Sequence, residues 1–264
     1  MLHTLHFHWS GSNHWNKCIR SSSSFAIQMC ALLLITAFAV PLVAMAQYDA
    51  PPAVATGLLV SAGARDSAFH VEYQNAYVEI AFLEGGIVMV ELFADSLDSD
   101  YPDMLTLPEE PPAKSFDTRA ASTEISGPDG LSVRYGDSSF GLEIESPDGD
   151  VLLDIPAGGV TWREDGSYEV RFGKSGGDHF FGLGEEVPDM IMRNVDTFDQ
   201  DGKVRRIFNH HHAPSEMGIP FFYNPRGYGL FIDNPWAAEF NFKPASEFTY
   251  AAGGGPLRFY FIYG

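Results

Sequence analysis

Short runs of β-branched and aromatic residues, in which apolar and polar positions alternate, dominate the chain from about residue 70 to residue 264. Gly, Pro and Asp separate these runs, and no long apolar stripe with helical period occurs. The clearest hairpin joins residues 77–82 to residues 87–93 across a Glu-Gly-Gly turn. Many short strands at regular spacing are typical of a sandwich, so we predict an all-β fold, an antiparallel β-sandwich.

Asp-Gly turns mark further hairpins, because glycine readily adopts the positive φ that tight turns need. Predicted strands lie at residues 131–135, 140–145, 151–155, 159–162, 168–172, 220–224, 229–233, 239–242, 247–251 and 257–263. Residues 95–122 are acidic and contain proline. We predict that this stretch lies outside the strands.

The first 46 residues have the features of a signal peptide. Lys17 and Arg20 precede an apolar run over residues 25–43, and Ala44-Met45-Ala46 places small residues at the cleavage site. Retention of the run as a membrane anchor is the alternative, which the proline within it disfavours. The expected location is secreted or periplasmic, without a stable membrane span after cleavage.

Cleavage would leave a Pro/Ala/Gly-rich linker over residues 47–69 and one domain over residues 70–264. Both cysteines, Cys18 and Cys30, lie in the leader, so the mature chain has no disulfide. Loss of the two leader cations, with no acids, moves the formal charge from −19 to −21. A chain this acidic repels nucleic acid and anionic membranes, and it favours a neutral partner.

Three segments together resemble the N-terminal domain of glycoside hydrolase family 31, which includes α-glucosidases and α-xylosidases. They are Phe181-Gly182-Leu183-Gly184-Glu185 with the segment after it, the block over residues 220–235, and the last strand at residues 259–264. The resemblance covers residues 70–264. The combination is specific, whereas the glycine motif alone is weak.

The resemblance implies a galactose-mutarotase-like β-sandwich that packs beside a (β/α)₈ barrel, with an α-glucoside or α-xyloside as substrate. In the family, the barrel carries the Asp nucleophile and the Asp acid/base, and it would begin after Gly264. A barrel needs about 250 residues. The family is one of O-glycosyl hydrolases, but this chain is expected to lack the catalytic residues and to be inactive alone.

The resemblance also implies the residues that line the substrate site. Glu185 and Arg193 belong to the loop on the substrate side, and Phe208, Asn209 and His211 occupy family positions near the sugar. We expect all five to contribute to substrate binding and none to be catalytic.

Three departures from the family pattern stand out. Residues 208–211 read Phe-Asn-His-His where the family has Trp-Asn-x-Asp, so His211 replaces an acid. The early hairpin lacks the usual Arg of the family's Arg-Val-Arg, and residues 89–91 read Met-Val-Glu there. Glu186 replaces an Arg that follows the glycine motif. The inherited sugar specificity is therefore open.

The residue pattern disfavours three other chemistries. Glu185 and Glu186 are neighbours, whereas a retaining glycosidase needs two carboxylates about 5 Å apart from separate elements. His210 and His212 would bind zinc only with Asp199 or Asp201, and no distant, well-spaced ligand pair strengthens such a site. A calcium loop at residues 199–202 lacks the required acids, which favours a solvated turn. We predict no metal and no cofactor.

Five aromatic residues are candidates for stacking on sugar rings, and for most of them a core position is the expected one. They are Trp162, Tyr168, Tyr223, Tyr228 and Trp236. Two alternative functions follow. One is a stand-alone carbohydrate-binding protein that uses exposed aromatic rings. The other is a docking partner for a separate barrel, which predicts an exposed apolar patch around residues 260–263.

Overall fold

Antiparallel strands build the described part of this protein. The computed structural model describes residues 53–65, 67–94, 117–118, 123–186, 193–194, 199–207 and 218–264, of which residues 117–118, 185–186 and 193–194 are described by backbone alone. The strands are β1 Leu59–Arg65, β2 Ala68–Tyr73, β3 Ala76–Leu83, β4 Ile87–Ala94, β5 Asp117–Thr118, β6 Glu124–Ser126, β7 Ser132–Tyr135, β8 Leu142–Glu145, β9 Val151–Ile155, β10 Val160–Trp162, β11 Tyr168–Gly173, β12 Phe181–Gly182, β13 Glu185–Glu186, β14 Arg193–Asn194, β15 Val204–Ile207, β16 Phe221–Asn224, β17 Tyr228–Ile232, β18 Ala238–Asn241, β19 Glu247–Ala252 and β20 Leu257–Tyr263.

The largest sheet has eight strands in the order β1-β2-β3-β4-β20-β17-β16-β12. The last strand, β20, lies at its centre between β4 and β17. The hairpin predicted from residues 77–93 is confirmed as β3 and β4, in which Ala76 pairs with Ala94 and Leu83 with Ile87. The alternation of buried and half-exposed residues along these strands sets the register, since a shift of one residue would expose the core face.

Two five-stranded sheets complete the fold, in the orders β10-β11-β19-β18-β15 and β5-β6-β7-β8-β9, and β13 pairs with β14. One face of each larger sheet contributes to a single apolar core, with Val78 from the large sheet, Phe172 from the second sheet and Ile144 from the third. The predicted all-β sandwich is confirmed for the described residues.

Aromatic rings fill the core beneath β12 and β16. Phe222 is fully buried and contacts Phe180, Phe242 and Phe248 edge-on, with ring centroids 5.3–5.8 Å apart. Phe172 stacks on Phe248 at 4.7 Å. Such pairs contribute about 0.5–1.5 kcal/mol beyond the area that they bury. The core therefore supports β12 firmly at the point where it leads into the glycine motif.

The opposite face of the large sheet carries a second, smaller apolar cluster. Ala68, Ala81, Leu83 and Tyr260 are buried there, with Ile87, Met89 and Phe231 partly buried beside them. Tyr260 is buried in this cluster, and Ile262 and Tyr263 are half-buried. The exposed apolar patch that the docking-partner alternative requires around residues 260–263 stays a prediction.

A buried ionic cluster lies on the same face. Arg258 donates to the carboxylate of Glu91 from Nε at 2.8 Å, and its Nη1 lies 3.7 Å from the carboxylate of Asp233. Burial raises the pKa of Glu91, and the charges of Glu79 and Asp233 add to this effect, whereas Arg258 lowers it. The acid that departs from the family pattern at position 91 is thus matched by a cation on the neighbouring strand.

The predicted linker over residues 47–69 requires a correction at its C-terminal end. Residues 59–65 form β1, which pairs with β2, and the hydroxyl of Thr56 accepts a hydrogen bond from the Phe140 amide at 2.9 Å. The sequence of β1 is rich in small residues and its side chains are largely exposed, so the alternating pattern of a half-buried strand is missing. The signal peptide lies outside the described residues.

The described part of the chain contains no helix long and apolar enough to cross a membrane. Residues 51–264 form one compact unit.

Candidate functional site

A left-handed turn at Gly182-Leu183-Gly184 directs the chain from the core towards Glu185. The φ angles are +128°, +72° and +92°. The side chain of Leu183 is fully buried, and its amide donates to the Phe221 carbonyl at 2.7 Å. A positive φ at leucine is costly and is tolerated only where the surroundings hold it. We refer to these three residues as the glycine-rich turn, and the buried leucine anchors it.

Two short strands follow the glycine-rich turn. In the pair β13–β14, Glu185 lies opposite Asn194 and Glu186 lies opposite Arg193. The backbone therefore brings two of the predicted substrate-binding positions, Glu185 and Arg193, into one two-stranded ribbon. Phe208, Asn209 and His211 lie outside the described residues, as do His210 and His212.

An exposed ion pair closes the base of this segment. Nδ1 of His179 lies 2.5 Å from Oδ2 of Asp199, and Oδ1 of Asp199 accepts the amides of Phe180 at 3.1 Å and Asp201 at 3.0 Å. One carboxylate thus ties the start of β12 to the turn before β15. No local sequence pattern predicts this pairing, because twenty residues separate the partners.

The ion pair predicts a pH window for the stability of this loop. The hydrogen bond and charge of Asp199 raise the pKa of His179. Protonated His179 therefore stabilises the folded loop below about pH 6.5, and this stabilisation is lost as the pH rises through the pKa of His179 in the folded protein. Burial opposes ionisation of Asp199, but amide hydrogen bonds and His179 lower its pKa overall. The stabilisation that the Asp199 carboxylate gives the loop is therefore lost only in acid.

NMR titration should place the titration midpoint of His179 above about pH 6.5, and Asp199→Asn should lower this midpoint. A midpoint at or below the usual value in the unmodified protein would contradict the pairing.

The turn at residues 199–202 is held by lysines. Nζ of Lys174 contacts the carboxylate of Asp201 at 2.7 Å, and Nζ of Lys203 donates to the Asp199 carbonyl at 2.6 Å. Gly202 takes a φ of +74°. No cluster of three or more His, Cys, Asp or Glu side chains suited to a metal occurs within the residues that the structure describes.

An aromatic surface lies beside the glycine-rich turn on the edge of the large sheet. The ring of Phe181 stacks on Tyr223, with centroids 5.3 Å apart, and His179 lies 6.4 Å from Phe181. Tyr223 also lines a groove of about 290 Å³ with Phe221 and Ile262. Half-buried Phe181 and exposed Tyr223 together offer a flat apolar face next to the segment that carries Glu185.

The five aromatic candidates divide between core and surface. Trp162, Tyr168 and Tyr228 are buried, whereas Tyr223 and Trp236 are 43% and 45% exposed. The expectation that most of them belong to the core is confirmed. Sequence pattern alone did not separate the two exposed rings from the three buried ones.

The block over residues 220–235 has a structural role in its first half. Buried Asn224 donates to Asp178 at 3.2 Å and to the hydroxyl of Tyr228 at 3.3 Å, and its side-chain oxygen accepts the Arg226 amide at 3.0 Å. Gly227 adopts a φ of +96° in the turn between β16 and β17. This polar network fixes the hairpin against which β12 pairs.

The sandwich and its glycine-rich turn define a β-sandwich domain of the galactose-mutarotase-like class. Residues 77–241 match the glycosyl hydrolase 31 N-terminal galactose mutarotase-like domain, and the chain belongs to this family. The family prediction made from the sequence motifs is thereby confirmed.

Individual relatives agree with this assignment. An isomaltosyltransferase from Sporosarcina globispora is 28% identical over 151 residues, which are 51% of this chain and 14% of that protein. A family 31 dextranase from Flavobacterium johnsoniae, solved with isomaltotriose, is similar with a TM-score of 0.66 and 19% identity over 80% of this chain and 27% of its own. A family 31 α-xylosidase from a soil metagenome, solved with xylose, has a TM-score of 0.62 and 15% identity over 78% of this chain and 32% of its own.

The chain thus spans about a third or less of the length of each of these relatives. At identities of 15–19%, the two solved structures show a shared fold. In family 31 enzymes, which act on carbohydrates, a catalytic domain stands beside this N-terminal domain.

Proposed function

We propose that this chain acts as the substrate-side accessory domain of a family 31 α-glycosidase and is inactive without a catalytic barrel. The observation that carries the proposal is the glycine-rich turn. Its buried Leu183 and two flanking positive-φ glycines fix the start of the segment that contains the predicted sugar-site residues. Such strain in the backbone is characteristic of functional segments that the fold holds in place.

In this proposal the segment from residue 181 to residue 212 forms one wall of a sugar site. Phe208, Asn209 and His211 contact the substrate, and Glu185 and Arg193 hold the segment in shape. The pairing of β13 with β14 supports the second role, because it places the backbones of both residues in one ribbon. One wall buries little of a ligand, so the remaining surface would come from the barrel.

The proposed substrate is an α-glucoside or α-xyloside. Relatives named as an isomaltosyltransferase, a dextranase and an α-xylosidase support this class. We further propose export to the periplasm or the exterior, with cleavage after residue 46. The leader pattern supports this location.

A turnover assay tests the proposal that this chain is inactive without a catalytic barrel. The purified chain should release no nitrophenol from nitrophenyl α-glucoside or α-xyloside above the buffer rate, because Glu185 and Glu186 are adjacent positions of a single strand. A Glu185→Gln variant is the matched control. Turnover that survives purification and is lost in this variant would contradict the proposal.

The gene supplies a second test. Reading the DNA beyond the codon for Gly264 should reveal a barrel with two catalytic carboxylates, either in the same frame or in a neighbouring gene. A locus without any family 31 barrel would refute the accessory role.

A further inference from the structure

We propose that a groove beside Trp236, on the outer face of the second sheet, is a binding site for a neutral oligosaccharide. The groove has a volume of about 310 Å³ and lies between the ends of β10, β18 and β19. Trp236 is 45% exposed and directly precedes Ala237, which lines the groove. Its indole ring lies against Gly253, another lining residue, where a Cβ would stand 3.7 Å from Cε3. We call this site the Trp236 groove.

The floor of the Trp236 groove is flat because it is made of small residues. Ala251 lies between Glu239 and Glu169 on the neighbouring strands. One step further along, Gly253 donates its amide to the carbonyl of Ala237 at 3.1 Å. All three small residues line the groove or its rim and leave room for a ring-shaped ligand to lie against the sheet.

Polar side chains border this floor. Nε of Arg206 donates to the carboxylate of Glu239 at 2.9 Å, and both side chains are largely exposed at 67% and 40%. Arg163 lines the opposite side. Planar groups with fixed donors and acceptors suit the hydroxyl groups of a sugar, while an apolar ring suits its C–H face. The charges of Arg163 and Arg206 are balanced by those of Glu239 and of Glu169 beside Ala251, so the groove has no net charge and favours a neutral sugar over an anionic ligand.

Buried hydrogen bonds fix the orientation of Trp236. The Asn234 side chain accepts the Trp236 amide at 2.8 Å and donates to the Gly254 carbonyl at 2.9 Å and the Tyr168 hydroxyl at 2.7 Å. The indole ring packs on Gly254, where a Cβ would lie 3.1 Å from Cε2. An aromatic platform that is held before binding loses little conformational freedom when the ligand arrives.

The groove adjoins the base of the proposed substrate segment. Ala238 pairs with Ile207, and a Cβ on Gly218 would lie 3.2 Å from Cγ2 of Ile207. Ile207 and Gly218, both described residues, therefore lie close to each other and near Ala238, which lines the groove. The inference uses described residues only and does not depend on a catalytic domain, so it survives if the proposed accessory role fails.

Calorimetric titration of the purified chain with isomaltotriose, maltotriose and xylotriose tests the site. At least one of these probes should bind with a dissociation constant of about 1 mM. Trp236→Ala should weaken binding at least about tenfold, since exposed aromatic anchors dominate such contacts. Ala251→Gln fills the floor of the groove without touching the indole and should weaken binding to a similar extent. It keeps the test decisive if Trp236→Ala folds poorly.

Tyr77→Ala is the matched control, because Tyr77 is 46% exposed but lies on β3 of the large sheet, away from both proposed sugar sites. It should leave the dissociation constant within about twofold. The inference is overturned if none of the three sugars binds at about 10 mM, or if folded Trp236→Ala and Ala251→Gln bind as the unmodified chain does. Loss of binding in Tyr77→Ala alone would place the site on the other sheet and would equally overturn it.

Discussion

Replacing Arg258 with methionine is expected to lower the free energy of unfolding by about 3–5 kcal/mol, because it removes the cation between two buried acids. Glu91 and Asp233 are only 6% and 4% exposed, and the guanidinium of Arg258 contacts both carboxylates. Methionine preserves much of the apolar packing of the arginine side chain. The loss of free energy of unfolding therefore comes chiefly from removal of the guanidinium charge. Urea unfolding of both proteins at neutral pH measures the difference.

The loss should shrink in acid. Burial raises the pKa of Glu91 even with Arg258 present, and removal of the arginine raises it further. A carboxyl whose pKa is higher in the folded protein than in the unfolded chain stabilises the folded protein at pH values below its unfolded-state pKa, which is about 4.3 for glutamate. This stabilisation is lost as the pH rises through the pKa of the folded state. The deficit of the variant should therefore be smaller at about pH 5 than at pH 7.

Arg206→Met is the control, since its partner Glu239 forms an exposed pair that is worth about 0–1 kcal/mol. If Arg258→Met and Arg206→Met have equal stability, or if the deficit of Arg258→Met does not depend on pH, the buried cluster does not act as described.

Gly182→Ala should destabilise the domain by about 2–4 kcal/mol through a clash with backbone atoms. An added Cβ would lie 2.6 Å from the Phe221 carbonyl and 3.0 Å from the Phe222 Cα, at a φ of +128°. Neither contact is with a flexible side chain, so β12 must move away from β16. The movement would also disturb Leu183 and the start of the substrate segment. Thermal and urea unfolding measure the loss of stability.

Gly166→Ala separates the clash from the cost of the backbone angle. Gly166 has a φ of +81° in a hairpin turn, and nothing lies within 4 Å of an added Cβ. This variant should lose only about 1–2 kcal/mol. Equal losses in the two variants would show that close packing of β12 on β16 is unimportant.

Most of the sandwich could be predicted because its strands carry their own signals. Residues 77–93 alternate about a glycine turn and form β3 and β4, and residues 257–263 form β20 as predicted. The strand β1 was missed because it is an exposed edge strand, whose burial pattern has no buried position. Its pairing partner, and not its own composition, makes it a strand.

The site was less predictable because its geometry depends on distant contacts. Leu183 takes a positive φ only because the core buries its side chain, and a leucine in sequence gives no sign of this. Asp199 pairs with His179 across a segment with no local pattern. Trp162 and Trp236 are alike in type, yet one is buried and the other exposed, and only the packed sheets distinguish them.

The decisive measurement for the proposed substrate-side role is kcat/KM towards α-glucosides for this domain together with the proposed family 31 barrel, in its unmodified form and with Glu185→Gln. We predict that the variant loses at least about tenfold in kcat/KM, which corresponds to about 1.4 kcal/mol, while its melting temperature stays nearly unchanged. Equal kcat/KM values for the two proteins would contradict the assignment of this segment to the wall of the sugar site.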